Sequence, residues 1–125
     1  MKIITSEQVK IFHNKIIQAS GGSLGIRDEK LIDSALNRGI STFDGSDLYK
    51  TDFEKISAIT HSLITNHAFV DGNKRIGIAV MLLLLKLNEI SISYSQEELI
   101  DLGLGIANGS IAFDEIINWL LHHIA

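Results

Sequence analysis

Hydrophobic positions along the chain recur at helical spacing, and polar caps and glycines cut them into segments. Val9, Phe12, Ile16 and Ala19 follow Thr5-Ser6-Glu7-Gln8, whose Thr and Gln stand at the spacing of a capping box, and Gly21-Gly22 closes the segment. A second helix starts with Asp28 as N-cap, carries the stripe Leu31, Ile32, Ala35 and Leu36, and stops at Gly39. Thr51-Asp52-Phe53-Glu54 repeats the capping-box spacing ahead of Ile56, Ile59 and Leu63, with Phe69 beyond them. From Lys74 to about Asn88 nearly every position is apolar, and a helix apolar on all sides is one that other helices surround. Gly77 near its start permits another backbone to approach closely. Ser95-Gln96-Glu97-Glu98 opens a further helix through Leu99, Ile100, Leu102 and Ile106, ended by Asn108-Gly109. Phe113, Ile116, Ile117, Leu120, Leu121 and Ile124 then form the cleanest amphipathic stripe. Only Ile90 to Tyr94 alternates with a period of two, and one such piece does not make a sheet. The pattern predicts one all-α domain over 1–125, a compact helical bundle around a central hydrophobic helix.

Other stretches carry less. Residues 40–51 follow no period, and Asp44-Gly45-Ser46-Asp47 reads as a turn. Such a loop is either a plain connection or a surface that receives a protein substrate or folds over a site as a flap, and both readings stand. His13 falls one position past Phe12, at the edge of the first helix's buried face, and reads as a structural histidine. Arg27-Asp28 reads either as a tie between this turn and the active-site side or as a local ion pair or cap, with no chemistry assigned, and His61 reads as a surface or packing histidine. His122 and His123 are adjacent and cannot share a helix face; they read as solvent-side residues favourable to the helix dipole, not as metal ligands.

Composition narrows the classes. The 125 residues have a net charge of −4 and scattered Lys and Arg, which argues against nucleic acid as a direct partner. Without cysteine there are neither disulfides nor thiolate metal sites. The apolar run at the start is too short for a secretory signal, and Ile76 to Leu85 falls short of the ~20 residues of a membrane span. The expectation is a soluble cytoplasmic protein with no membrane partner.

The candidate chemistry lies in residues 66–75, Asn-His-Ala-Phe-Val-Asp-Gly-Asn-Lys-Arg. His67 can exchange a proton near neutral pH, Asp71 is a hard oxygen ligand, and Gly72-Asn73 can bring backbone N–H groups close to an anion. Lys74 and Arg75 stand at the start of a helix, where a cation costs ~0.3–1 kcal/mol against the dipole. A bound polyanion, phosphate first, compensates that cost, since N–H groups, dipole and cations converge on it. The plainer reading is a polar junction in which Asp71 pairs with Lys74 or Arg75. No Walker or protein-kinase motif occurs.

His67-Ala68-Phe69-Val70-Asp71-Gly72-Asn73-Lys74-Arg75 resembles the signature of the Fic/Doc superfamily, and Lys74 is similar to its Doc (death-on-curing) toxin branch. In the AMP-transferring Fic branch a Gly usually holds the place of Lys74, and a second Arg holds that of Ile78. Gly72 departs the other way, because AMP-transferring relatives carry Gly there and a Doc toxin carries Ala. His13, Gly21 to Asp28, Leu48-Tyr49 and a last helix ending near Trp119 extend the resemblance over nearly the whole chain. It implies a toxin of a toxin–antitoxin pair that moves the γ-phosphate of ATP to a threonine of a translation factor, elongation factor Tu, and blocks translation. His67 is then the general base. Asp71 holds Mg²⁺, Gly72 and Asn73 cradle phosphate with the N–H groups that follow, and Lys74 and Arg75 oppose its charge. Some relatives carry an inhibitory Ser/Thr-x-x-x-Glu-Gly/Asn motif; Ser93 to Glu97 comes nearest, but Glu98 follows. The resemblance therefore implies restraint in trans, by a small antitoxin folding into a groove. The alternatives are AMP transfer to a protein hydroxyl and a catalytically idle module that binds nucleotide or partner.

Overall fold

The computed structural model describes residues 1–125, and its helices follow the caps. In α1 (Ser6–Ser20) the box is complete: Gln8 N–H donates to the Thr5 hydroxyl and Thr5 N–H to Gln8 Oε1. Ahead of α2 (Lys30–Gly39) the Asp28 carboxylate accepts the Lys30 N–H, so Asp28 caps although the regular helix starts after Glu29. At α3 (Asp52–Thr65) only half the box forms, because Glu54 accepts from the Thr51 hydroxyl instead of its backbone. Next come α4 (Asn73–Leu87), α5 (Gln96–Ala107) under a complete Ser95/Glu98 box, and α6 (Phe113–His122).

The all-α architecture matches the expectation, and α4 buries Ile76, Val80, Met81, Leu84 and Leu85 at its centre. It shares that place with α3, which packs against α2, α4, α5 and α6. Hydrophobic periodicity hides this role because α3 also buries Ser57 and Thr60; the Thr60 hydroxyl satisfies itself on the Ile56 carbonyl. The two central helices approach closely at Gly77, where a Cβ would lie 2.4 Å from Ile64 Cγ1.

Several details differ from the sequence reading. In α1 the buried line is Val9, His13 and Ile17, one position round from the expected stripe, and Ala19 is exposed. His13 is thus central, at 3% exposure, instead of at the edge. The site tolerates an imidazole because Nε2–H donates to the Asp71 carbonyl at 2.7 Å and the ring stacks on Phe69 at 3.8 Å. Residues 40–51 form a small hairpin, β1 (Thr42–Phe43) against β2 (Ser46–Asp47), turned at Asp44 and Gly45 with φ of 53° and 79°. Lys55 anchors it to α3 by donating to Asp47 and the Tyr49 carbonyl.

His122 is solvent-side as expected, whereas His123 is largely covered, stacked on Trp119 at 3.9 Å. The His123 Nδ1 faces the Trp119 carbonyl at 2.7 Å and Nε2 faces Glu98 at 2.6 Å, so both nitrogens meet acceptors and the cation is favoured. The bond to Glu98, then that to Trp119, raises the His123 pKa, and the same His123 bond lowers that of Glu98. A raised histidine pKa contributes stability below its unfolded value that is lost as pH rises through the folded value. A lowered carboxylate pKa contributes stability above its unfolded value that is lost on acidification through the folded one. The stability lead of wild type over His123→Gln in thermal unfolding is therefore expected to be widest between about pH 4.5 and 6.5 and to shrink on both sides. A lead that stays constant into alkaline solution contradicts this pairing.

Candidate functional site

After Thr65 the chain leaves α3, reverses through residues 66–72 and enters α4. A strap from the α1–α2 connection holds this reversal in place. Ile26 forms an antiparallel bridge with Phe69, Val70 N–H donates to the Gly25 carbonyl, and the N–H groups of Arg27 and Asp28 both reach the Ala68 carbonyl. Asn73 closes the loop from inside, its side chain accepting the Phe69 N–H and donating to the Phe69 carbonyl. With Phe69 in the core and His13 under the Asp71 carbonyl, the polar residues between them are displayed on a fixed frame.

Between the end of α3 and the start of α4 lies a cavity of about 370 Å³. All six residues singled out in the sequence line it: His67, Asp71, Gly72, Asn73, Lys74 and Arg75. His67 is exposed, and its backbone sits in the left-handed region at φ 55°. Gly72, the N-cap of α4, has φ 78° and no side-chain cap bond, and the first α4 N–H to find a partner is that of Ile76, on the Gly72 carbonyl. The N–H groups of Asn73, Lys74 and Arg75 thus remain available to an anion, with the positive end of the helix dipole behind them.

The charges in the loop are unequal in their commitments. Asp71 accepts the Ser23 N–H at Oδ2 and the Gly72 N–H at Oδ1, and these two bonds, in that order, hold its pKa below the usual carboxylate range. It is therefore ionised at neutral pH, and its half-exposed oxygens keep lone pairs for a cation. Arg75 donates to the Ser20 hydroxyl and the Gly21 carbonyl, both at 2.7 Å, and lies 3.8 Å from Asp71. The plainer reading is thus present only as a long Asp71–Arg75 pair. Lys74 is exposed and enters no ion pair. Asn73 differs from the simplest expectation, because its amide is spent on Phe69 and only its backbone N–H is left for an anion.

This set fits a magnesium–polyphosphate ligand. Free N–H donors and an unpaired ammonium suit phosphate, and one ionised carboxylate suits Mg²⁺, which takes few protein oxygens and completes its shell with phosphates and water. Three residues given no chemical role in the sequence support the frame: His13, Ser23 and Arg27. The i, i+4, i+8 line of Val9, His13 and Ile17 was the available signal for His13; Ser23 acts through its backbone, which no side-chain pattern reveals.

A second cavity of about 460 Å³ adjoins the first, sharing Lys74 and Arg75 and otherwise walled mainly by apolar residues of α4 and α5, among them Ile78, Leu82 and Leu99. No helix is long and apolar enough to cross a membrane.

Comparison with known proteins gives the chain a family. A family model described as Fic/DOC family matches residues 3–85. The chain is also 40% identical over 75 residues to Toxin Doc of Mycolicibacterium smegmatis, a match covering 60% of this chain and 58% of that protein. The similarity therefore spans less than two thirds of the relative's length. With the family model covering well over half of its residues, including the whole 67–75 loop, the chain belongs to the Fic/DOC family.

Proposed function

We propose that this protein is the toxin of a toxin–antitoxin pair, a Doc-type kinase that moves the γ-phosphate of ATP to a threonine hydroxyl of a translation factor. Family resemblance names elongation factor Tu as the acceptor, in the cytoplasm. The observation that carries the reading is one cavity in which an exposed histidine shares the walls with three unbonded helix N–H groups and an unpaired lysine. The relative named Toxin Doc supports the toxin assignment.

The His67 imidazole takes the proton of the threonine hydroxyl, whose oxygen forms a bond to the γ-phosphorus. The bond from that phosphorus to the β–γ bridging oxygen breaks, and ADP leaves with the electron pair. The backbone N–H groups of residues 73–75 and the Lys74 ammonium steady the charge that moves outward onto phosphate oxygens. Mg²⁺, held at Asp71, supplies further neutralisation when bound. The product carries about −1.5 to −2 added charges, enough to reorganise a switch region.

AMP transfer is the competing reading, and Gly72 is the residue that favours it. Its left-handed backbone supplies another reason for Gly: φ is 78°, and a Cβ would sit 3.0 Å from Ile17 Cδ1. Lys74 and Ile78 keep the weight on phosphate transfer. The test uses ATP labelled at the α or the γ phosphate, incubated with the protein and elongation factor Tu. Label from γ alone is expected on the target; label from α alone replaces kinase with AMP transferase.

Restraint falls to a small antitoxin. The 460 Å³ groove suits an amphipathic segment, and its occupant would lie against Lys74 and Arg75, beside the phosphate cavity.

A further inference from the structure

We propose that Arg27 is a positioning residue for His67, a role that rests on the reading of His67 as general base. The guanidinium reaches across forty positions of sequence to the end of α3: Nε–H donates to the His67 carbonyl at 2.7 Å and Nη2–H to the Asn66 carbonyl at 3.1 Å. Arg27 pairs with no carboxylate, and Asp28 is occupied with the Lys30 N–H. The local ion pair read from Arg27-Asp28 is therefore absent, and both polar contacts of the side chain are backbone carbonyls beside the proposed base.

His67 needs such a hold. A left-handed φ of 55° is disfavoured for any residue with a Cβ, and a histidine at an exposed helix end would otherwise relax by continuing the helix or extending. The planar guanidinium fork spans two successive carbonyls at and just past the negative end of the α3 dipole, and favours the one backbone geometry that presents both. Arg27 N–H fixes the next carbonyl, that of Ala68, at 2.8 Å. From the other side Asn66 Nδ2–H donates to the Leu31 carbonyl at 2.9 Å. The backbone on both sides of the imidazole is thus clamped while the ring itself stays exposed. Without the fork, His67 samples several backbone states and only a fraction of molecules aim the ring at the hydroxyl. The nucleotide cavity, built from the start of α4, stays intact. Lysine keeps the charge but cannot bridge both carbonyls.

The experiment compares wild type, Arg27→Lys and Arg27→Gln in two arms. In solution NMR without substrate, residue 67 is expected to lose its left-handed signature in the HN–Hα coupling and ¹³C shifts of Arg27→Gln. Arg27→Lys should show a partial loss, and the Trp119 indole should be unmoved in both. In the labelled-ATP transfer assay, Arg27→Gln is expected to lower kcat by about 10–100-fold with KM for Mg-ATP unchanged, and Arg27→Lys to restore part of it. An unaltered residue 67 in the NMR of Arg27→Gln overturns the proposal, as does a loss of Mg-ATP affinity equal to the loss of rate. The NMR arm needs no turnover, so a wild type that transfers nothing sinks the base assignment while Arg27's hold on residue 67 is still decided.

Discussion

His67→Ala is expected to lose transfer by about 10²–10⁴-fold while binding Mg-ATP nearly as tightly as wild type. The separation follows from where the groups sit. The imidazole stands at the end of α3, whereas the N–H groups, Lys74 and Asp71 that would meet the nucleotide belong to the start of α4 and the turn before it. Removing the ring leaves every backbone bond of the loop in place, because the one hydrogen bond made to residue 67 goes to its carbonyl oxygen. Calorimetry with Mg-ATP and the labelled transfer assay on the same two proteins measure the two halves. Affinity lost together with rate would place His67 in nucleotide binding and remove it as a base. Binding by both proteins with transfer by neither would identify an idle module.

Phe69→Ala carries the largest expected effect on stability, about 3–5 kcal/mol, out of a total that for domains of this kind is roughly 5–15 kcal/mol. The ring is 2% exposed, stacks on His13, and anchors the loop at the point where Ile26 pairs with Phe69 across the bridge and the Asn73 side chain bonds to its backbone. Its loss opens a cavity under the imidazole that holds the Asp71 carbonyl. Transfer should therefore fall even at temperatures where the chain remains folded, and Phe69→Leu should recover part of both. Urea denaturation measures the first effect; a loss below about 1 kcal/mol would mean that Phe69 is not part of the frame.

The sequence displayed the helices well because their ends are chemical: Thr5, Thr51 and Ser95 are caps that compete for backbone N–H groups wherever the fold puts them. It displayed the site residues for a related reason, since the six lie within one short stretch and their chemistry is local. What stayed hidden depends on partners remote in sequence. His13 reads as an edge residue until the Asp71 carbonyl and Phe69 are brought against it, and Arg27 stays open between a local pair and a tie to the site until the end of α3 arrives. His123 looked solvent-side because Glu98 lies on another helix. The hairpin at 42–47 was legible in principle: Asp44-Gly45 suits a tight turn with both residues at positive φ, but strands of two residues leave no period.

The proposed function rests on one physical statement, that the uncapped start of α4 would receive the phosphates of a nucleotide. Titration of ¹⁵N-labelled protein with Mg-ATP tests it most directly. The largest amide shifts are expected on residues 72–75, with the His67 imidazole moving alongside them. Shifts centred on the hairpin or the α4–α5 groove, with residues 72–75 unmoved, would contradict it.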